Sequence, residues 1–306
     1  MEKILREAYD YAKPFVKDGE LPTYQPQLAK ANKDNLGVVV IDKDKEVYEF
    51  GVVNVKFTAQ SIIKVLLYQI VLENYEMEEI KSYVGLKGSS KPFNSIADLE
   101  LSDGKKPVNP FINSGALVVS YLILKKFGNK SFDVVLHKAK RIFNNSFLEY
   151  DKVFVETGKP VAFRNIALIN TLKSNGTISN DISSEDILDL YFKACCILVD
   201  PKDLANYSFI LSNEGKDIQD NQIIEKEHAT ILKTLMAIAG MYDYSGDFAV
   251  EIGIPAKSGV GGGILGATNK GIGIATYSPG LDKQGNSLAG IKLLEHLSKN
   301  FDISIY

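Results

Sequence analysis

The stretch Phe57-Thr-Ala-Gln-Ser61-Ile-Ile-Lys64-Val-Leu-Leu-Tyr68 places a serine and a lysine three residues apart in an apolar run. Positions i and i+3 of a helix lie on one face, so the Ser61 hydroxyl and the Lys64 amine can share a proton. In a dry setting a lysine loses its charge easily, and a neutral amine can turn serine into a nucleophile. This pair predicts an acyl-transfer enzyme.

A second motif, Lys257-Ser258-Gly259, lies near the other end of the chain in a stretch typical of a strand. Each motif alone is weak evidence, because the chain holds 35 Lys and Arg residues and chance matches are expected. Their order is more specific, with a helix, a helical block and then a strand. Penicillin-recognising serine hydrolases have this layout, in which a strand-borne Lys-Ser/Thr-Gly faces the nucleophile helix.

The composition is that of a soluble globular protein. The 306 residues suit one large domain or two interleaved ones, with 45% hydrophobic and 24% charged residues. A net charge of -3 does not favour binding to nucleic acid or to an anionic membrane. No apolar run reaches the ~18 residues needed to span a bilayer, and the acidic amphipathic start does not resemble a signal peptide.

The cysteines and histidines exclude two classes of site. Cys195 and Cys196 are adjacent and cannot form an ordinary disulfide, so we expect a reducing cytoplasmic location. His137, His228 and His296 are far apart in sequence and show no metal-ligand spacing. We therefore expect neither a metal nor another cofactor.

The periodicity predicts an α+β fold. Residues 36–41 and 46–50 read as one hairpin, and residues 256–265 and 271–277 as a second. We expect the two hairpins to join in one antiparallel sheet, flanked by terminal helices that include residues 288–299.

Between the hairpins the pattern is mostly helical. The predicted helices include residues 113–126, 132–143, 165–174 and 185–198. We expect a sheet part over residues 1–60 and 246–306 and a helical part over 61–245. Together they would form one catalytic unit, with Ser61 at their junction.

The chain resembles the serine-dependent glutaminases over nearly its whole length. Eight blocks match in the family's order, which is a specific signal. They are Tyr24-Gln-Pro-Gln-Leu-Ala-Lys30, Gln60-Ser-Ile-Ile-Lys64, Pro92-Phe-Asn-Ser95, Asn109-Pro-Phe-Ile-Asn-Ser-Gly-Ala116, Arg164-Asn165, Leu188-Asp-Leu-Tyr191, Met241-Tyr-Asp243 and Pro255-Ala-Lys-Ser-Gly-Val260.

The resemblance implies a β-lactamase-like fold and hydrolysis of L-glutamine to L-glutamate and ammonia through a γ-glutamyl ester on Ser61. It implies Lys64, Tyr242 and Lys257 as the other catalytic residues, and homodimers or homotetramers. The backbone N–H groups of Ser61 and Val260 would form the oxyanion hole. The implied substrate contacts are Tyr24, Ser61, Asn113, Glu156, Asn165, Tyr191, Tyr242 and Val260. Arg164 would hold structure, since its side chain would point away from that of Asn165.

One block departs from the family pattern. In Glu156-Thr-Gly-Lys-Pro-Val-Ala-Phe-Arg164-Asn165 the acid lies two residues too early, and Gly158 takes the ungapped position. A two-residue insertion at Lys159-Pro160 would leave Glu156 against the substrate's amino group, and we expect this arrangement. Otherwise that contact is missing.

Two other functions compete with glutamine hydrolysis. One is a β-lactam-reactive or peptidase-type acyl transferase of the same fold. The other is a degenerate homologue that binds glutamine without hydrolysing it. The four intact catalytic residues argue against the second. The sequence leaves open the kinetic constants, the strictness against asparagine and any activator such as phosphate.

Overall fold

A computed structural model describes residues 1–92, 94–102 and 105–305, apart from the side chain of Asp98. Phe93, in the matching block at residues 92–95, lies outside the described residues. The strands are β1 Gly37–Ile41, β2 Val47–Gly51, β3 Phe57–Thr58, β4 Leu198–Val199, β5 Ala256–Ser258, β6 Gly263–Ala267 and β7 Gly273–Tyr277. The helices are α1 Glu2–Ala12, α2 Ile63–Leu72, α3 Met77–Tyr83, α4 Ile96–Leu101, α5 Asn113–Phe127, α6 Ser131–Ile142, α7 Lys152–Gly158, α8 Phe163–Ser174, α9 Ser184–Cys195, α10 Pro201–Ser212, α11 Lys226–Ala239, α12 Ser245–Glu251 and α13 Leu288–Asn300.

The main sheet has five antiparallel strands in the order β2-β1-β7-β6-β5. β1 pairs with β7 in a register that places Val39 opposite Ala275, so the first and last parts of the chain meet in the centre of the sheet. The predicted α+β fold and the predicted joining of two hairpins are confirmed.

The predicted strand at residues 256–265 is wrong in one respect, because it divides into β5 and β6. Ser258 pairs with Ile264, and the Gly259 N–H donates to the Gly263 carbonyl at 3.1 Å. Gly262 has φ +98°, a left-handed conformation that favours glycine. The glycine run therefore forms a tight turn at the end of the Lys257-Ser258 strand.

A second, two-stranded sheet was not predicted. β3 pairs with β4, with Phe57 opposite Val199. The helix expected over residues 185–198 accordingly ends at Cys195, where the chain turns into β4. This small sheet joins the segment before Ser61 to the segment after α9.

The main sheet is covered on both faces, as its period-two pattern requires. In β1, Val38 and Val40 belong to the apolar core that includes α1 and α13, whereas Val39 and Ile41 belong to the core formed with the helical part. α10 lies directly on this second face. A Cβ on Gly273 would approach the backbone nitrogen of Phe209 to 2.3 Å.

α2 is the central helix of the second core. Every residue from Ile63 to Leu72 is buried, so this helix is apolar on all sides and is packed by α5, α9 and α11. The 3₁₀ turn that precedes it, Gln60–Ile62, contacts β5. Ser61 therefore lies where the sheet meets the helices. Within the described residues, no helix is long and apolar enough to cross a membrane.

Candidate active site

Ser61 lies in a short 3₁₀ turn, Gln60–Ile62, that leads into α2. Gln60 has φ +48°, an unfavourable conformation for a residue with a side chain. The Gln60 side chain donates to Thr58 Oγ1 at 2.9 Å, and the Ala59 N–H donates to the Ile197 carbonyl at 2.8 Å. These bonds hold the strained turn in place, and strain of this kind occurs at functional sites.

Lys64 is buried one turn after Ser61, with a side chain only 1% exposed. Its Nζ donates to the Phe111 carbonyl at 3.0 Å and to Asn113 Oδ1 at 2.7 Å. Burial lowers the pKa of Lys64 from 10.5 to about 8, although the nearby Cys195 thiol acts in the opposite direction. A neutral amine has two hydrogens, which these two acceptors engage, and its lone pair stays available for a proton.

Tyr242 stands opposite Ser61 in a 3₁₀ turn, Tyr242–Tyr244, with φ +59°. The Ser245 hydroxyl donates to the Tyr242 carbonyl at 2.7 Å and stabilises this conformation. The Tyr242 hydroxyl donates to the Ser258 carbonyl at 3.3 Å and is hydrogen-bonded with the Ser61 side chain. Burial raises the pKa of Tyr242 far above its usual 10, so the phenol is protonated at rest.

Lys257 is fully buried behind Tyr242. Its Nζ donates to the Gly240 carbonyl at 3.0 Å and to the Ser258 carbonyl at 2.7 Å, and lies 4.3 Å from the centre of the Tyr242 ring. Burial, and then the charge of Lys64, hold the pKa of Lys257 well below its usual range. Lys257 and Tyr242 thus share one acceptor, the Ser258 carbonyl.

Gly259 lets the β5–β6 turn approach Ser61. A Cβ at this position would lie 2.7 Å from the Ala59 carbonyl oxygen and 3.3 Å from the Ser61 nitrogen. Since real Cβ contacts are rarely this short, a side chain here would push the turn away. The following residue, Val260, lines the same cavity as Ser61.

A cavity of about 340 Å³ opens above Ser61. Asn113 Nδ2 donates to Asn165 Oδ1 at 3.1 Å, and the Tyr191 hydroxyl donates to Asn113 Oδ1 at 3.3 Å. This network extends from Lys64 across the cavity floor. The cavity brings together six residues predicted from the sequence: Tyr24, Ser61, Asn113, Asn165, Tyr191 and Val260.

Glu156 does not lie in this cavity, contrary to the expectation from the sequence. It lines a separate cavity with Lys159, Asp189 and Lys193. The reason is that no loop bulge forms: α7 runs to Gly158 and passes directly into a 3₁₀ turn, Lys159–Val161. Lys159 Nζ binds Asp189 Oδ1 at 2.6 Å, which holds this turn towards the second cavity.

Several residues of the site were not predicted. Arg164 lines the cavity beside Asn165, although it was expected to point away, and its Nε donates to the Asn94 carbonyl at 2.7 Å. Gln25, Phe192 and Cys195 also line the wall. Arg164 and Gln25 belong to sequence blocks that match the family. Their membership in these blocks is the sequence signal that could have identified them as site residues.

A buried turn behind the site was also missed. The Ser258 hydroxyl donates to Asn286 Oδ1 at 2.5 Å, and Asp282 Oδ1 accepts from the Asn286 N–H at 2.8 Å. The intervening Gly285 has φ +92°, and a Cβ on it would lie 3.6 Å from Val260 Cγ1 and 3.9 Å from Tyr242 Cε2. This turn thus supports Ser258, whose carbonyl binds Lys257 and Tyr242. The polar segment from Asp282 to Asn286 marks a turn in the sequence, but nothing there places it beside Ser258.

A buried serine next to an amine of lowered pKa is suited to attack on a carbonyl carbon. This serine and amine lie between a five-stranded antiparallel sheet and a block of helices. The combination of this site and this fold defines the β-lactamase-like class of serine hydrolases. The family model for glutaminase matches residues 19–306. The chain therefore belongs to the glutaminase family, the amidohydrolases that act on glutamine.

Individual glutaminases are similar to this chain over nearly its full length. A glutaminase of Clostridioides difficile (strain 630) is 40% identical over 306 residues, which cover 100% of this chain and 98% of that protein. A solved probable glutaminase of Bacillus subtilis superposes with a TM-score of 0.91 at 30% identity, covering 100% of this chain and 97% of that one. A covalent complex of a Bacillus subtilis glutaminase with 5-oxo-L-norleucine superposes with a TM-score of 0.86 at 29% identity, covering 98% of each chain.

Proposed function

We propose that this protein hydrolyses L-glutamine to L-glutamate and ammonia through a γ-glutamyl ester on Ser61. The observation that carries the proposal is the Ser61 hydroxyl, which is hydrogen-bonded with Tyr242 at the base of a cavity sized for a small amide. The buried Lys64 supplies a base one helical turn away.

In the first half of the reaction, Ser61 Oγ forms a bond to the amide carbon and gives its proton to neutral Lys64. The Ser61 and Val260 N–H groups donate to the oxygen that becomes negative. The carbon–nitrogen bond then breaks. Tyr242 donates a proton to the leaving nitrogen and regains one from Lys64, so ammonia departs and the ester remains.

In the second half, water attacks the ester carbon. The same groups remove a proton from the water and return one to Ser61 Oγ, which releases L-glutamate. Lys257 holds Tyr242 through the shared Ser258 carbonyl and the face of its ring. Burial lowers the pKa of Lys257, which favours the neutral form of its amine.

The amino-acid end of glutamine lies against the network of Asn113, Asn165 and Tyr191, with Tyr24 at the mouth of the cavity. Tyr24 is 64% exposed, and its ring can cover a bound substrate. The related Bacillus subtilis enzyme, which holds 5-oxo-L-norleucine covalently, supports a pocket for a six-carbon α-amino acid at this place.

The experiment is an ammonia-release assay with L-glutamine, together with mass analysis after incubation with 6-diazo-5-oxo-L-norleucine. We expect ammonia release, and one adduct on Ser61 that is absent from the Ser61→Ala variant. A Ser61→Ala variant as active as the wild type would contradict the nucleophile assignment. Labelling by a fluorescent penicillin without ammonia release would favour the acyl-transferase alternative, and glutamine binding without turnover the degenerate one.

The proposal also covers the division of the chain into parts, the oligomeric state and the cellular location. Residues 1–60 and 246–306 form a sheet part and residues 61–245 a helical part, which we expect to unfold in one transition. The protein forms homodimers or homotetramers in the cytoplasm, where its two free, buried cysteines stay reduced. Light scattering on the purified protein tests the oligomeric state, and fractionation of cells tests the cytoplasmic location.

A further inference from the structure

The described residues that line the cavity above Ser61 carry positive charge and no negative charge. None of the described residues that line it is Asp or Glu, whereas Arg164 brings a guanidinium group. Burial raises the pKa of the Cys195 thiol to about 11, so this part of the wall is neutral. The buried Lys64 amine below the floor, with a pKa of about 8, is positive in most of the molecules at pH 7. An α-ammonium group would enter a site without an opposite charge.

The oxygen atoms of the floor cannot replace a carboxylate. Asn113 Oδ1 already accepts from Lys64 Nζ at 2.7 Å and from the Tyr191 hydroxyl at 3.3 Å. Asn165 Oδ1 accepts from Asn113 Nδ2 at 3.1 Å. Asn113 Oδ1 has both lone pairs engaged and Asn165 Oδ1 keeps one, so an ammonium group with three hydrogens meets one free, uncharged acceptor on these two side chains.

The donors of the cavity suit a carboxylate. Arg164 uses only Nε on the Asn94 carbonyl, and its two terminal nitrogens can form a bidentate pair with an acid. Asn165 Nδ2 adds an amide donor on the same side. A substrate carboxylate is therefore recognised by Arg164 and Asn165, whereas an ammonium group next to it meets no opposite charge among the described residues that line the cavity.

The course of α7 accounts for the missing acid. Phe154 and Gly158 are the residues of this helix that line the cavity, and a Cβ on Gly158 would lie 2.9 Å from Phe192 Cε1 and 3.4 Å from Gln25 Nε2. Phe192 thus occupies the space that a longer side chain needs. Glu156 lines the other cavity, on the side of Lys159 and Asp189.

We propose that this site takes ω-amides that have a carboxylate but no α-ammonium group at least as well as L-glutamine. The substrate class is amides of the glutaric acid type with hydrogen, a keto oxygen or another neutral group at the α-carbon. The simplest member is glutaramate, 5-amino-5-oxopentanoate. The inference rests on the proposed amidase function and names its specificity. A buried charge without a partner costs about a hundredfold in affinity, so the effect is measurable.

Binding to the Ser61→Ala variant tests the inference without turnover. Calorimetric titration with L-glutamine and with glutaramate should give a dissociation constant for glutaramate equal to or lower than that for L-glutamine. L-Glutamine binding more than about tenfold tighter than glutaramate would overturn the inference. So would a Glu156→Gln change, in the same background, that weakens L-glutamine tenfold and leaves glutaramate unaffected, because Glu156 would then supply the carboxylate.

A second variant installs the missing charge. Gln25→Glu is isosteric and places a carboxylate at the cavity wall beside Gly158. It should improve L-glutamine binding relative to glutaramate by about tenfold or more. Gln27→Glu is the matched control, because Gln27 lies two residues away and donates to Thr157 Oγ1 outside this cavity. An equal change in both variants would show a general charge effect and would count against the inference.

Ammonia release by the wild-type enzyme separates the inference from the proposed function. Release from glutaramate and L-glutamine at comparable kcat/KM supports both. Release from neither amide contradicts the proposed function, while the titrations with Ser61→Ala still decide the charge preference of the cavity.

Discussion

Lys64 sets the pH dependence of the proposed reaction, because only its neutral form accepts the Ser61 proton. With a pKa of about 8, Lys64 is half neutral at pH 8, about a tenth neutral at pH 7 and about a hundredth neutral at pH 6. We therefore expect kcat/KM to fall about tenfold for each pH unit below 8 and to reach a plateau above it.

Initial rates of ammonia release between pH 5.5 and 9.5, at constant ionic strength, measure this profile. A limb with its midpoint well below 7 would refute Lys64 as the titrating base. A flat profile would refute a lysine base altogether. Tyr242 is protonated throughout this range and does not produce the limb.

The lowered pKa of Lys64 also makes the free energy of unfolding depend on pH. The unfolded chain holds Lys64 with its ordinary pKa of 10.5, and the folded chain with about 8. Below pH 8 both states bind the proton and the full cost of the buried charge is present, about 3 kcal/mol. Between pH 8 and 10.5 only the unfolded state binds it, so the folded state gains stability as the pH rises.

Urea unfolding of the wild type and of Lys64→Met tests this sign. The wild type should gain about 1.4 kcal/mol per pH unit relative to the variant above pH 8, and nothing below it. A difference that stays constant from pH 7 to 9.5 would show that Lys64 is not held neutral by burial.

Three further changes test other contacts. Tyr242→Phe should lower kcat by about 10²–10⁴-fold with little change in KM, since the ring stays over Lys257 and only the proton carrier is lost. Asn286→Ala should lower kcat about tenfold with KM unchanged, and Asn286→Asp, which keeps an acceptor for the Ser258 hydroxyl, should lose less; an equal loss in KM would indicate a binding role. Tyr207→Phe should lower the free energy of unfolding in urea by about 1–3 kcal/mol, because the buried Gln69 Oε1 loses its donor at 2.9 Å; an unchanged midpoint would refute this.

The parts of the fold that follow from local periodicity were predictable. The hairpin at β1 and β2, the helices and their order in the chain rest on alternating or helical spacing of apolar residues, which neighbours in sequence determine. The division of residues 256–265 into β5 and β6 was not predicted. Alternating small residues can continue a strand, and the turn is set by close packing of Gly259 against Ala59.

The candidate site was predicted where a residue lies within a specific motif. Ser61, Asn113, Asn165, Tyr191 and Val260 meet in one cavity as expected. Glu156 was misplaced because the direction of a helical side chain depends on whether the following segment bulges or continues as a turn. Spacing in the sequence leaves both possibilities open.

By itself, the sequence determined the family, the α+β class and the three-residue spacing of Ser61 and Lys64, since these depend on residue types at fixed short spacings. Only the tertiary structure decided the charge state of that pair and the charge of the cavity around it. Burial lowers the pKa of Lys64, and a turn held by an ion pair between Lys159 and Asp189 keeps Glu156 on another surface. Both effects come from groups that are distant along the chain and adjacent in space.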